Sequence, residues 1–147
     1  MDGKSVQLAL WDTAGQEDYE RLRPLAYSKS CIILIGFSVD MPDSLNSIKY
    51  KWMEEATRLC AGVPTILVGL EKDLREDLVA IQKMRKKSLR FVTEHKGETI
   101  ARDIGAKSYV ECSSLSGEGV YDVFEAATRV ALLTFEKGEG GGFCVVL

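Results

Sequence analysis

The sequence predicts an α/β fold with a largely parallel sheet, because apolar strand-like runs alternate with helical segments of ten or more residues. The run at residues 31–37 is continuously apolar, which is typical of a strand covered on both faces, and residues 65–69 form another apolar strand-like run. A third run, at residues 6–11, alternates between apolar and polar side chains and predicts a strand buried on at least one face. The 147 residues, 46% of them hydrophobic, suffice for one domain with a sizeable core.

The remaining elements follow from local signals. Pro42, followed by Asp and Ser, marks the start of a helix that has apolar side chains along one side. Residues 75–107 look helical throughout, and residues 108–112 read as one more strand. The final helix has a core-facing stripe at i, i+3, i+4 spacing, formed by Val120, Val123, Phe124, Ala127 and Ala131.

Composition excludes some classes of protein. The net charge of −3 gives no electrostatic case for nucleic acid as a partner. The four cysteines do not suggest a secreted disulfide framework, since Cys31 and Cys112 lie in apolar strand-like runs and the N-terminus has no signal-peptide pattern. No apolar run approaches the ~20 residues that span a membrane. The only histidine, His95, has no metal-ligand spacing to Cys or carboxylates, and we expect it on a helix surface.

Two stretches have competing interpretations. Asp2-Gly3-Lys4-Ser5 contains the tail of a phosphate-binding P-loop, but no glycine stands five residues ahead and a strand-like run follows. A hairpin turn is therefore the favoured interpretation. The basic stretch at residues 84–90 reads as a solvated helix face, with a contact to a partner or a membrane as the alternative.

The run at residues 10–17, Leu-Trp-Asp-Thr-Ala-Gly-Gln-Glu, is the strongest functional signal. Asp12 ends a strand-like run, and a carboxylate there suits Mg²⁺, usually held through water. Gly15 leaves its backbone N–H free to approach a terminal phosphate. Asp-x-x-Gly alone also occurs in ordinary loops, but the eight-residue string resembles the second switch region of the Ras superfamily of small GTPases.

Two further motifs extend this resemblance to the base of the nucleotide. Lys72-Asp73-Leu74 follows the strand at residues 65–69, where small GTPases have an Asn/Thr-Lys-x-Asp motif whose Asp accepts two hydrogen bonds from guanine. The run at residues 112–115 resembles the third guanine motif, in which a backbone N–H meets the guanine oxygen. The resemblance thus implies GTP and GDP as ligands, bound with Mg²⁺ by Asp12, Gly15, Lys72, Asp73, Leu74, Ser113, Ser114 and Leu115.

Other features resemble the Rho branch of the superfamily. They are Trp11 before the switch, Lys51-Trp52 in the middle helix, and the basic helical stretch after Asp73. The segments around residues 85–87 and 132–136 look most like fungal Rho proteins. The ending Cys144-Val-Val-Leu fits the C-a-a-X prenylation pattern, and its final Leu favours a geranylgeranyl group.

The resemblance implies the P-loop-NTPase-like, three-layer fold of small GTPases. We expect it to be incomplete, without the first two strands and the P-loop that precede this part of the family sequence. Residues 1–137 would form a truncated GTPase domain, from the second switch to the last helix, and residues 138–147 a flexible tail with the prenylation motif. In the family sheet the first strand lies beside residues 6–11, so we expect the strand at residues 6–11 to lack its neighbours.

The implied activity is GTP hydrolysis by a signalling switch, with Gln16 orienting the attacking water. We expect this chain to bind nucleotide weakly and to hydrolyse GTP poorly or not at all. The reasons are the missing phosphate-binding segment and Glu71, which replaces the family Lys. The alternatives are a non-enzymatic interaction module that competes for Rho regulators, and a non-functional truncated product.

The resemblance also implies partners and a location. The partners would be exchange factors, GTPase-activating proteins, a dissociation inhibitor and effectors of the Rho type. A geranylgeranyl group on Cys144 would give membrane contact. Because a single prenyl chain usually needs a second signal and no polybasic run precedes Cys144, we expect a cytoplasmic protein weakly associated with the plasma membrane.

Overall fold

A computed structural model of the chain describes residues 3, 5–12, 21–27, 30–136 and 145–146, with the backbone alone for residues 135–136 and 145–146. Its five strands form one sheet in the order β1-β5-β2-β3-β4. The strands are β1 (Leu10–Trp11), β2 (Ile32–Ser38), β3 (Thr65–Leu70), β4 (Tyr109–Glu111) and β5 (Val145–Val146). The α-helices are α1 (Arg23–Tyr27), α2 (Pro42–Ser47), α3 (Met53–Leu59), α4 (Leu78–Lys86), α5 (Glu94–Asp103) and α6 (Val120–Glu136).

The sheet is parallel in every pairing, as the alternation of strands and helices predicts. β2 and β3 pair over six residues, from Ile33 opposite Thr65 to Ser38 opposite Leu70. The interior residues of these two strands are almost fully buried, which confirms the expectation from their apolar runs.

Helices cover both faces of the sheet and give the three layers that the resemblance implies. On one face α2, α3 and α5 pack over the odd-numbered side chains of β2, including Ile33, Ile35 and Phe37. On the other face α6 covers the even-numbered side chains, including Ile32 and Leu34. The predicted stripe on α6 is confirmed at its centre, since Val123, Ala127 and Ala131 are buried there.

The helix predicted to begin at Pro42 does begin there, with proline at a position where its missing N–H costs nothing. The helical path is not regular, because a π-helical turn (Ile48–Trp52) separates α2 from α3. Leu45 and Ile48 are fully buried, and Ala56 is nearly so. The predicted apolar side of this helix therefore faces the core.

The prediction of continuous helix over residues 75–107 is wrong. The segment begins at Arg75, the last residue of a 3₁₀ turn (Lys72–Arg75), and contains α4 and α5 with non-helical chain between them. Ser88 has a φ of 53°, outside the right-handed helical region, and the chain then runs on to Thr93. Thr93 caps α5 by accepting a hydrogen bond from the N–H of Lys96 (3.1 Å), which marks a new helix start. His95 is exposed on α5, as expected.

The strand predicted at residues 6–11 is shorter and more exposed than its alternation suggests. Only Leu10–Trp11 pair, and these side chains are 51% and 54% exposed. The expected buried face is therefore wrong for Leu8 and Leu10, because alternation shows a two-sided strand but not that anything covers it.

β1 also has a neighbour that the sequence did not predict. Leu10 and Trp11 pair with Val145 and Val146, which on their other side pair with Ile32 and Ile33 of β2. Two residues of the predicted flexible tail thus lie within the sheet, where their backbone groups satisfy those of β1 and β2. The expected lack of the first two strands and the P-loop stays a prediction.

Candidate functional site

The carboxyl ends of β3 and β4 bring two predicted motifs together. The strands are neighbours in the sheet, and Leu67 pairs with Tyr109. The pairing continues past β4, because the N–H of Cys112 donates to the carbonyl of Gly69 (2.9 Å). The N–H of Lys72 then donates to the carbonyl of Cys112 (3.2 Å). The loops that follow the two strands therefore lie side by side, at the edge where ligands bind in open α/β sheets.

The first loop holds Asp73 in a short 3₁₀ turn. Glu71 precedes the turn with a left-handed backbone (φ 59°, ψ 36°), which reverses the chain as it leaves β3. The turn closes with a bond from the N–H of Leu74 to the carbonyl of Glu71 (3.0 Å). Lys72, Asp73 and Leu74 are all half-buried, so the turn lies against the protein and not free in solvent.

The second loop holds Ser113 at its base. Ser113 is completely buried, and its N–H donates to the carbonyl of Glu118 (2.9 Å). Its hydroxyl accepts from the N–H of Ser116 (3.2 Å). Ser114 and Leu115 are exposed, with Leu115 at 87%. The loop thus presents residues 114–115 to solvent from a hydrogen-bonded base.

An ion pair joins the two loops. The ammonium of Lys72 donates to the carboxylate of Glu118 (2.6 Å). The hydrogen bond to Glu118 raises the pKa of Lys72 above its usual value. Since Lys72 is 28% and Glu118 is 67% exposed, the pair contributes more to the arrangement of the loops than to stability.

Glu71, the residue that the resemblance marks as a departure from the family pattern, lies near another acidic side chain. The hydroxyl of Ser38 lies 2.6 Å from a Glu71 carboxylate oxygen and 2.5 Å from one of Asp40. A hydroxyl has one proton to donate, so it serves only one of the two carboxylates at a time. The fold therefore places two acidic side chains around one hydroxyl.

Arg75 anchors the far end of the 3₁₀ turn. Its guanidinium donates to both carboxylate oxygens of Glu111 (2.5 and 2.7 Å) and from two nitrogens to the carbonyl of Val92 (3.1 and 2.6 Å). Tyr109 donates to the same carboxylate (2.6 Å). Burial alone would raise the pKa of Glu111, but the hydrogen bonds from Arg75 and Tyr109 outweigh it and keep the pKa below its usual value.

Sequence reasoning missed this cluster. The available signal was the spacing of Tyr109 and Glu111, two polar-tipped side chains on the same face of a short strand. That spacing does not identify Arg75 as the partner, because the pair is separated by 36 residues and meets only through the parallel pairing of β3 with β4.

A buried ion pair fixes α1 on α3. Arg23 and Glu55 are 2% and 6% exposed, and the guanidinium donates to both carboxylate oxygens (2.7 and 2.9 Å). Tyr27 donates to Glu55 (3.2 Å), and the Arg23 guanidinium lies 5.2 Å from the centre of the Trp52 ring. The hydrogen bond from Arg23 lowers the pKa of Glu55, while burial and the nearby carboxylate raise that of Tyr27 to about 12.

The other predicted site residues are not brought to these loops by the described structure. Asp12 is exposed directly after β1, whereas Gly15, Gln16 and Cys144 lie outside the described residues. Within the described ranges no group of three His, Cys, Asp or Glu side chains could hold a metal ion. Asp12 offers one carboxylate, and Mg²⁺ usually completes its coordination with water and substrate phosphates. Among the described helices none has the length and apolar character needed to cross a membrane.

Comparison with known proteins gives consistent results over nearly the whole chain. The model of the Ras family matches residues 1–133. The chain is 61% identical over 132 residues to the GTP-binding protein rho2 of Schizosaccharomyces pombe, covering 90% of this chain and 66% of that protein. It is 53% identical over 147 residues to the GTP-binding protein RHO1 of Candida albicans, covering 100% and 74%. It is 51% identical over 140 residues to RHO1 of Saccharomyces cerevisiae, covering 95% and 67%.

The covered shares show how much of each relative this chain spans. The chain spans about two thirds of the length of the first of these relatives and up to 74% of the others named here. The predicted similarity to fungal Rho proteins is confirmed by the identities of 51–61%.

Proposed function

Because the chain belongs to the Ras family, we propose that it acts as a Rho-type signalling switch and binds the base of GTP and GDP between the loops after β3 and β4. The observation that carries this proposal is the hydrogen bond from the N–H of Lys72 to the carbonyl of Cys112, which holds the two guanine motifs side by side. The similarity to fungal GTP-binding proteins supports the choice of nucleotide.

The chemistry of recognition follows from the two loops. The ionised carboxylate of Asp73 accepts two parallel hydrogen bonds, which matches the N1–H and 2-amino groups of guanine. The backbone N–H of Ser114 donates to the guanine oxygen. Adenine has neither the N1–H nor that oxygen, so the same groups would reject it. Lys72, Leu74, Ser113 and Leu115 complete the base site.

The phosphate end and the hydrolysis step rest on the family resemblance. We assign Gly15 to the terminal phosphate, Asp12 to support of Mg²⁺, and Gln16 to orientation of the attacking water. Bound Mg²⁺ would neutralise charge on the phosphates. Nucleotide exchange factors, GTPase-activating proteins, a dissociation inhibitor and effectors of the Rho type are the proposed partners.

Nucleotide binding is proposed to be weaker than in a relative that has Lys in place of Glu71. The Glu71 carboxylate lies against the same hydroxyl as Asp40, so this corner of the site is acidic where the family has a cation. We expect Glu71→Lys to strengthen GDP binding, because a lysine there pairs with Asp40 and removes the repulsion between two carboxylates.

Titration of the purified chain with fluorescent GDP in Mg²⁺ buffer tests the base site. We expect saturable binding that unlabelled GTP displaces and ATP does not. Asp73→Asn should shift the preference from guanosine diphosphate to xanthosine diphosphate. The amide offers one acceptor and one donor, which match the N1–H donor and the 2-oxo acceptor of xanthine. Asp103→Asn, at an exposed carboxylate at the end of α5, is the matched control and should leave the preference unchanged.

The results separate the possible explanations. Displacement of GDP by ATP as well as by GTP would contradict the assignment of Asp73. Absence of binding at high micromolar protein would favour the interaction module described next. GTP turnover that disappears in Gln16→Leu would establish catalysis, and would contradict the expectation that this chain is a poor enzyme.

Membrane association through Cys144 is the second part of the proposal. A geranylgeranyl group on Cys144 would give weak, reversible binding, since one lipid chain without a polybasic segment is a marginal anchor. Fractionation of cells that express the chain, beside a Cys144→Ser variant, tests this. A fully membrane-bound pool would contradict weak binding, and an equal distribution of the two forms would contradict lipid attachment.

A non-enzymatic interaction module is the second candidate, and the geometry of α1 favours it. Arg23 and Tyr27 anchor this helix to α3, while Leu22 and Leu25 remain 58% and 73% exposed. An anchored helix with one exposed leucine on it and a second directly before it is suited to a protein partner. Capture of a Rho regulator without nucleotide, lost in Leu25→Asp, would support it.

A further inference from the structure

Arg75 joins three parts of the chain that meet at the base site. Its guanidinium bonds to Glu111 in β4 and to the carbonyl of Val92 in the connection between α4 and α5. Arg75 itself is the last residue of the 3₁₀ turn that contains Asp73. The Arg75 side chain therefore joins the turn that contains Asp73 both to β4 and to the connection between α4 and α5.

The turn is held at both ends, with Asp73 between them. Its first residue, Lys72, donates its N–H to the carbonyl of Cys112. Its last residue, Arg75, donates from its guanidinium to Glu111 and to the carbonyl of Val92. Two residues of chain reach at most ~7 Å, so a displacement of Arg75 is transmitted to the Asp73 backbone almost directly. Val92 is itself fixed, because its N–H donates to the carbonyl of Val39 (2.8 Å).

The anchor is rigid for reasons visible in its surroundings. The Glu111 side chain is 8% exposed and Arg75 is 25% exposed, so solvent screens their bidentate contact little. Tyr109 donates to the Glu111 carboxylate and stacks on Phe37 at 6.2 Å between ring centres. Tyr109, packed against the core residue Phe37, therefore restrains the Glu111 carboxylate that accepts from Arg75.

We propose that Arg75 is a positioning residue for guanine recognition, holding the Asp73 carboxylate in register with the base through Glu111 and the Val92 carbonyl. This inference rests on the proposed function. Its consequence is that the α4–α5 connection and the base site are mechanically linked through one guanidinium. A change that moves Val92 would alter discrimination between bases without touching the nucleotide.

The test compares GDP with inosine diphosphate, which lacks the 2-amino group that Asp73 would bind. We expect the unaltered chain to prefer GDP by roughly tenfold or more, since one charge-assisted hydrogen bond is lost with inosine. Arg75→Gln should reduce that preference to about threefold or less, because a displaced carboxylate gains little from the second donor. Arg75→Lys, which keeps the charge but not the forked geometry, should lie between.

Arg85→Gln is the control, at an exposed arginine on α4, and should keep the full preference. An Arg75→Gln variant that loses affinity for both nucleotides by the same factor would overturn the positioning role, because general loosening does not distinguish the two bases. Urea unfolding of each variant establishes that the chains compared are folded.

A second readout does not depend on nucleotide. The N–H of Leu74 and the N–H of Glu76 are bonded within the turn, to Glu71 and to Asp73. We expect their hydrogen exchange to accelerate by roughly tenfold or more in Arg75→Gln and to stay unchanged in Arg85→Gln. Unchanged exchange in Arg75→Gln would refute the anchor. If neither nucleotide binds but exchange accelerates, the proposed function fails and the structural anchor stands.

Discussion

The buried pair of Arg23 with Glu55 gives the sharpest test of what holds α1 in place. The guanidinium and carboxylate are 2% and 6% exposed and share two hydrogen bonds of 2.7 and 2.9 Å. Arg23→Met leaves the carboxylate buried without its cation, and Glu55→Leu leaves the guanidinium without its anion. Each single change should lower the free energy of unfolding by about 3–5 kcal/mol, since an uncompensated buried charge remains.

The double variant should be far less destabilised than the sum of the singles. Replacing both members by apolar side chains of similar size removes both charges, so we expect the double variant to lose no more than about 3 kcal/mol, which corresponds to a coupling of at least about 3 kcal/mol. The Trp52 ring, 5.2 Å from the guanidinium, would then pack against methionine.

Urea unfolding of the four chains measures this coupling as a double-mutant cycle. The control cycle uses Arg129→Met and Glu125→Leu, an i,i+4 pair on α6 whose members are 53% and 35% exposed. That pair should show a coupling below about 0.5 kcal/mol. Additivity of the Arg23 and Glu55 changes to within ~0.5 kcal/mol would refute the argument that burial makes this pair essential.

Two further results are expected. Acid should destabilise the protein: hydrogen bonds from Arg23 lower the pKa of Glu55, so its stabilisation is present above its unfolded pKa of ~4.3 and is lost as the pH falls through the folded value. The Glu55→Gln variant should lose less free energy of unfolding than the unaltered chain between roughly pH 6 and pH 3, as measured by urea titration at each pH. An equal loss in the two chains would contradict this cause. Gly119→Ala should lower the melting temperature more than Gly105→Ala: both glycines have positive φ (75° and 72°), but only at Gly119 would a Cβ lie 2.2 Å from the carbonyl oxygen of Glu111. Equal losses would contradict a steric cause.

Much of the fold could be predicted because its signals are local. The apolar runs predict β2 and β3 as buried parallel strands, and the proline-led signal predicts the start of α2 at Pro42. The apolar stripe on α6 likewise depends only on spacing along one helix. These predictions succeed because burial on both faces, capping and amphipathicity are properties of consecutive residues.

The failures lie where periodicity does not specify the tertiary partner. Residues 75–107 have helical composition, but Ser88 and the Thr93 cap divide them into two helices. Residues 6–11 alternate as a strand should, yet Leu10 and Trp11 remain exposed and pair with Val145 and Val146. Alternation gives the two faces of a strand and leaves open which of them anything covers.

For the proposed base site, the sequence by itself determined the residue types: the carboxylate of Asp73, the Ser113 loop and the acidic side chain of Glu71. The tertiary structure decided their arrangement, because the parallel pairing of β3 with β4 places Lys72 against Cys112 and Arg75 against Glu111. Ion pairs such as Arg23 with Glu55 join residues 32 positions apart, and no local pattern specifies them. Neighbouring residues in the sequence determine which chemical groups a loop carries. The contacts that orient these groups form only when distant strands and helices pack together.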